Sequence, residues 1–319
     1  MSMKNLRNIH MFYILVFIVT FVSSCSFVET PKKYAMVYGI SRYIDSLDEG
    51  EGINLTYTDD DAVSIANLLE NKGYIVILRT NSDATRAQFE TDINTLNSEI
   101  KGNDLVLFYY SGHGAQSSDI QPPSKGLEPP ERDQDDEWIF LYGSIYIDGA
   151  NNLILDTDKT FTDDTLAKEM EKLNTDRKII ILDSCNSGGF IGNYLEVDND
   201  PQTITNKPLP TETVIAEAIK LYFDYGANKK ESADIPPNDA IVISASGESE
   251  YSYESNSVQH GIFTYFFLQA AEEADLNKDR YITTMEAYAY TSAAINLTTY
   301  PFAPHISGGP VDFILFPAN

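Results

Sequence analysis

Residues 178–189 read KIIILDSCNSGG. Four apolar residues stand in a row, Ile179 to Leu182, with no polar residue between them. Strict alternation would mark a strand with one wet face; an unbroken β-branched run of this length marks a strand buried on both faces. Four further runs have the same character: YAMVYGI (34–40), YIVILRT (74–80), DLVLFYY (104–110) and AIVISAS (240–246). Between them lie longer helical patterns. DDDAVSIANLLENKG (59–73) opens on acids and stops at a glycine, and DATRAQFETDINTLNSEIKG (83–102) stops at Gly102. TDDTLAKEMEKLN (162–174) again carries acids in its first turn, where the helix dipole favours them. Strands that alternate with helices predict an α/β fold, a mainly parallel sheet with helices on both faces.

Two long segments interrupt this rhythm, 117–160 and 190–238. The first holds paired prolines, the charge cluster ERDQDDE and the hairpin-like WIFLYGSIYIDGANNLIL; the second holds one helical pattern, TETVIAEAIKLYFDYG. Each follows a strand end that carries reactive side chains. In open α/β sheets ligands sit beyond the carboxyl ends of the strands, so long insertions there read as the walls of a site.

The two strand ends are YYSGHGAQ (109–116) and ILDSCNSGG (181–189). Adjacent parallel strands ending at one edge would bring His113 and Cys185 side by side. A thiol near its free pKa of about 8.5 is mostly protonated, and a neighbouring imidazole converts it into a nucleophile. Glycines at 112, 114, 188 and 189 let a peptide approach the backbone and leave N–H groups to meet an oxyanion. A lone buried cysteine or histidine is ordinarily packing. The two together, each framed by glycine, point to cysteine-based catalysis.

These two motifs resemble the caspase–metacaspase group of cysteine peptidases, and within it metacaspases and their bacterial relatives. The Gln-Ala that precedes the cysteine of caspases is absent. The resemblance runs on through LTYTDDDAVSIANLLENKGY (55–74), TDDTLAKEMEKL, SASGESEYSYES (244–255) and HGIFTYFFLQ (260–269). It implies a caspase-like α/β domain over 34–319 with a mainly parallel six-stranded sheet, the sixth strand near APHISGG (303–309) or DFILF (312–316). It further implies His113 as base, Cys185 as nucleophile, and the N–H groups of Gly114 and Cys185 as the oxyanion hole, with no third acid. Asp61, Ser111 and Asp183 fall where metacaspases line the pocket for the residue before the cut. Two carboxylates there match Arg or Lys and reject Asp. Thr58 stands where metacaspases commonly carry cysteine. A simple capping role for the acids remains open at Asp61, because Asp59 and Asp60 could serve the helix end equally. Asp183 could instead hold the cysteine loop. His260 and His305 lack the glycine frame and read as structural.

Calcium is the ion to weigh. DLNKDRYITTME (275–286) matches an EF-hand loop at Asp275, Asn277, Asp279 and Glu286, with the Tyr281 carbonyl as a further ligand. Arg280 stands at the position of the sharp-turn glycine, and an acidic helix–helix connection accounts for the same residues. Metacaspases also use a separate calcium switch, and ERDQDDEW (131–138) and Asp163-Asp164 sit in its regions, but Gly192 and its neighbours lack the expected acid. The dyad itself requires no cofactor.

The N-terminus has Lys4 and Arg7, an apolar run from Met11 to Val22 and then Cys25 in VSSC. This pattern predicts a secretory signal over 1–24, and it resembles a bacterial lipobox, with lipid on Cys25 and a tether over 25–33. The expected location is the cell envelope, with the membrane as partner through that lipid. About 295 residues remain after such a cut, enough for one large domain. Only two cysteines occur, so no disulfide framework exists once Cys25 is lipidated. The net charge of −26 excludes nucleic acid and favours cationic partners. Lys229-Lys230 reads either as a self-cleavage site or as a basic loop tip. A silent, calcium-binding interaction module of the same fold is the rival reading; a nucleotide-binding protein is disfavoured by the absence of phosphate-loop motifs.

Overall fold

Six runs of apolar residues pair into one sheet in the protein's structure, a computed structural model that describes residues 30–44, 53–118, 135–150, 153–184, 199–200, 240–247, 250–307 and 312–318. They are β1 (Lys33–Gly39), β2 (Ile75–Thr80), β3 (Leu105–Ser111), β4 (Lys178–Asp183), β5 (Ile241–Ser244) and β6 (His305–Ser307). The order across the sheet is β6-β5-β4-β3-β1-β2. Every neighbouring pair is parallel except β5 with β6. The α/β class and the mainly parallel six-stranded sheet expected from the sequence are those observed.

Both faces of the inner strands β1, β3 and β4 are covered, which is why they read as continuous apolar runs; β2, at the sheet edge, has no buried residue and leaves Ile75 and Leu78 exposed, against the expectation from YIVILRT. Odd-numbered residues of the central strands, among them Ala35, Val37, Leu107, Tyr109, Ile179 and Ile181, share a core with α1 (Thr58–Asn71), α4 (Ile262–Glu273) and α5 (Thr284–Asn296). Even-numbered residues, among them Met36, Tyr38, Phe108, Tyr110 and Ile180, face α2 (Arg86–Glu99) and α3 (Asp163–Glu171). Each fully buried Phe, Ile or Leu in these layers contributes about 1.5–3 kcal/mol.

Three helices start on threonine caps. Thr85 Oγ1 accepts the Gln88 N–H, while Thr162 with Thr165 and Thr283 with Glu286 form capping boxes. The sixth strand lies at APHIS. DFILF instead supplies Ile314–Pro317, which pairs antiparallel with Tyr281–Thr283 outside the main sheet. The hairpin-like stretch after β3 becomes two small units: Asp135–Phe140 between Gly114–Ser118 and Thr160–Thr162, and Ile145–Ile147 against Leu153–Leu155. Contacts gather Lys32–Asn319 into one unit. Among the described residues no helix is long and apolar enough to cross a membrane. The N-terminal signal with Cys25, the helical pattern TETVIAEAIKLYFDYG, Lys229-Lys230, Gly188, Gly189 and Gly192 lie outside the described residues, as does Cys185.

Candidate active site

β3 and β4 end together. Their register pairs Tyr109 with Ile181 and Ser111 with Asp183, and the next turn of chain is tied by the Gly112 N–H to the Asp183 carbonyl at 3.3 Å. Side chains alternate along a strand, so Ser111 and Asp183 share the face of Tyr109 and Ile181, toward α1 and α4. His113 lies two residues past Ser111, and Cys185 two residues past Asp183 in the sequence. A side chain at Gly112 could not be accommodated, because its first carbon would stand 2.6 Å from the hydroxyls of both Tyr43 and Tyr110.

Those two tyrosines hold the histidine turn. The His113 N–H donates to Tyr43 Oη at 2.7 Å, and Tyr110 Oη donates to the His113 carbonyl at 2.7 Å. The Tyr43 ring lies 4.7 Å from the imidazole, centroid to centroid. The imidazole Nε2 is 2.5 Å from the Ile53 carbonyl oxygen. A carbonyl can only accept, so Nε2 carries the proton and Nδ1 is left as the basic nitrogen. Burial pushes the His113 pKa down to about 4, so the ring is neutral at pH 7.

The acids predicted for the pocket also converge. Asp61, from the first turn of α1, is fully buried and does not cap its helix: Tyr57 is the N-cap residue and no side chain caps it. Asp61 Oδ2 accepts the Gly261 N–H at 2.9 Å, and Oδ1 lies 2.5 Å from His260 Nδ1. Asp183 Oδ1 accepts the Ser252 hydroxyl at 2.7 Å, while Oδ2 accepts the Thr264 hydroxyl at 2.5 Å and the Thr264 N–H at 3.2 Å. A methyl group at Gly261 would meet Asp183 Oδ2 at 2.7 Å and Asp61 Oδ2 at 2.9 Å, so one small residue separates the two carboxylates. Burial raises the pKa of Asp61, reinforced by Asp183, and burial likewise raises Asp183 against the pull of its hydrogen bonds. Ser111 is buried beside them.

Four groups at this edge carry no motif that singles them out. Tyr43 and Ile53 come from the loop after β1. Glu254, buried and raised in pKa by that burial, accepts the N–H groups of Thr56 and Tyr57 at 2.9 and 2.7 Å and so fixes the start of α1. His260, read from the sequence as structural, sits on Asp61. Their only sequence signal is polar or aromatic residues in loops that abut the strand ends.

Gly114 opens the strand Gly114–Ser118 and is half-buried, next to His113. The 275–286 loop joins α4 to α5, as an EF-hand loop would, with Arg280 at φ +74°. Its oxygens hold its own backbone: Asp275 accepts from Asp279 and Arg280, Asn277 from Asp279, Asp279 from Tyr281, and Glu286 from Leu276, Asn277 and Thr283. Among the described residues no group of three or more His, Cys, Asp or Glu is arranged to hold a metal ion.

A family model described as Caspase domain matches residues 32–296. Among solved structures, the crystal structure of the protein GSU0716 from Geobacter sulfurreducens is similar at a TM-score of 0.54 and 19% identity, over 88% of this chain and 95% of that one. At that identity the likeness shows the fold. No curated protein matches the chain.

Proposed function

The chain belongs to the caspase-domain family, whose members are cysteine peptidases acting on protein substrates, and from that premise we propose a cysteine endopeptidase that cuts after Arg or Lys. The observation that carries the proposal is the pair of ends of β3 and β4. They deliver a neutral, clamped imidazole at His113 and, on the α1 side of the same edge, two buried carboxylates converging on Gly261.

The chemistry follows from these groups. His113 Nδ1 takes the thiol proton of Cys185 as Sγ attacks the scissile carbonyl carbon. The N–H groups of Gly114 and Cys185 stabilise the oxyanion. When the carbon–nitrogen bond breaks, the imidazolium returns the proton to the leaving amine, and water then hydrolyses the thioester by the same base. The Ile53 carbonyl supports this ring orientation in place of a third acid. Asp61, Asp183 and Ser111 hold the basic side chain of the residue before the cut, where a buried carboxylate pairs with a guanidinium or ammonium and repels aspartate. No step requires a metal ion. The tether at Cys25 is part of the proposal and rests on the lipobox-like VSSC; a lipid label lost in Cys25→Ala tests it.

A panel of fluorogenic peptides with Arg, Lys or Asp before the leaving group tests the activity. Hydrolysis confined to the Arg and Lys peptides and lost in Cys185→Ala is the expected result. Cleavage after Asp, or equal turnover by Cys185→Ala, would overturn it.

A further inference from the structure

We propose that His260 determines the specificity and affinity of this pocket: in the free protein its imidazole occupies Asp61, and a substrate cation gains that carboxylate only by displacing it. The inference rests on the basic-residue reading of the pocket given above and adds a competitor built into the chain.

Both carboxylates are already engaged from within, but not by equivalent groups. Of the nitrogens that reach them, those of Gly261 and Thr264 are main-chain N–H groups at the start of α4, fixed by the helix. The third, His260 Nδ1, sits on a side chain that remains 22% exposed while Asp61 is fully buried. The ring can swing out without opening a helix or strand. It is also the only one of the three that can carry charge, so it stands for the substrate's cation. A second observation points to a ligand here. Thr58 lies one turn before Asp61 on the same face of α1, and its buried hydroxyl has no hydrogen-bond partner among the described residues. An incoming ammonium or guanidinium supplies the missing donor.

Carboxylates surround the ring. Asp60 and Asp61 face it from α1, Asp183 from the end of β4, and Glu254 lies beside Asp61 on the short strand Glu254–Ser255 that pairs with His260–Gly261. Burial lowers the imidazole's pKa while Asp60 and Asp183 oppose that shift. As pH falls the ring gains its proton, but Asp61, whose pKa burial raises, loses its charge over the same descent, so the competition is read at a pH where Asp61 is ionised and the ring is a neutral donor.

Steady-state kinetics of the full chain on an Arg peptide at pH 8 test this, with His260→Ala and His260→Gln. In His260→Ala, KM falls roughly fivefold. Its kcat stays within about twofold, as expected when ground-state competition is removed. His260→Gln keeps a neutral donor to Asp61, so its KM lies between those of the wild type and His260→Ala. On the wild-type chain, titration with agmatine shifts the nitrogen-15 resonance of His260 Nδ1 in step with occupancy, a readout independent of variant folding. An unmoved resonance, or a KM unchanged or raised in His260→Ala while the wild type cleaves Arg peptides, overturns the proposal. If the wild type neither cleaves basic peptides nor binds agmatine, the basic-pocket reading fails and the proposal falls with it.

Discussion

At His113 a backbone carbonyl takes the place an acid has in a catalytic triad: by accepting from Nε2, Ile53 leaves Nδ1 as the basic nitrogen. Tyr43 supports the same turn through one hydroxyl, which accepts the His113 N–H and donates to the Phe140 carbonyl. Tyr43→Phe leaves that buried N–H unpaired, a cost of about 1–3 kcal/mol. Urea unfolding should show the lower midpoint, and kcat should fall while KM for an Arg peptide holds. Under the proposed pocket, Asp61 and Asp183 set the pH dependence. Burial raises Asp61 and Asp183 above the ordinary Asp value, so each loses its charge at a higher pH than a solvated carboxyl does. For Arg and Lys peptides kcat/KM should therefore decline as pH falls, along a limb above the usual carboxylate range. His113 stays neutral to about pH 4 and does not set that limb. Asp183→Asn can keep its one oxygen on Thr264 and turn its NH2 to the Ser252 hydroxyl, which can accept, but it removes charge; it should lower kcat/KM for Arg peptides about a hundredfold. The positions of His113, Asp183 and Asp61 at one sheet edge could be expected from the sequence, because His113 stands between glycines, Asp183 ends an apolar strand run and Asp61 closes an acidic triplet. Those of Tyr43, Glu254 and His260 could not, since their roles lie in contacts 70 to 199 residues away along the chain.

Among the elements, the inner parallel strands could be read from the chain because burial on both faces leaves a local mark, a run of β-branched and aromatic residues without alternation; β2 carries the same run at the sheet edge, where Ile75 and Leu78 stay exposed. The sixth could not be placed between APHIS and DFILF. Both are short apolar runs, and what separates them is pairing with β5 or with Tyr281–Thr283, a long-range choice that neither run encodes locally. Helix ends were legible in the same local way, through Gly73 at φ +87° and the threonine caps. The loop between α4 and α5 shows where local chemistry and geometry disagree. Arg280 has φ +74°, a left-handed conformation that costs a residue with a side chain about 1–2 kcal/mol. Its N–H donates to Asp275 Oδ2, a bond glycine preserves. Arg280→Gly removes the strain but adds about 0.5–1 kcal/mol of unfolded-state entropy. The net expectation is a gain of about 0.5–1 kcal/mol, seen as a higher urea midpoint at unchanged slope.

For the whole molecule, charge separates attraction at a distance from recognition in the pocket. The chain carries 48 acidic against 22 basic residues, a field that would draw a cationic peptide in from afar, whereas the proposed pocket would pair its Arg or Lys with carboxylates shielded from solvent. Salt screens the first interaction strongly, since the Debye length falls from about 10 Å at 0.1 M to about 3 Å at 1 M, and screens a buried pair much less. Raising sodium chloride across that range should lower kcat/KM for an Arg peptide several-fold while kcat at saturation holds, because encounter is slowed and chemistry is not. Adding lysines to the peptide away from the cut should steepen the salt dependence without changing kcat. Asp183→Asn should keep nearly the same slope at a much lower kcat/KM, since one charge among so many scarcely alters the distant field. If the slope instead vanishes with Asp183, the attraction is local to the pocket and the acidic surface has no part in substrate capture.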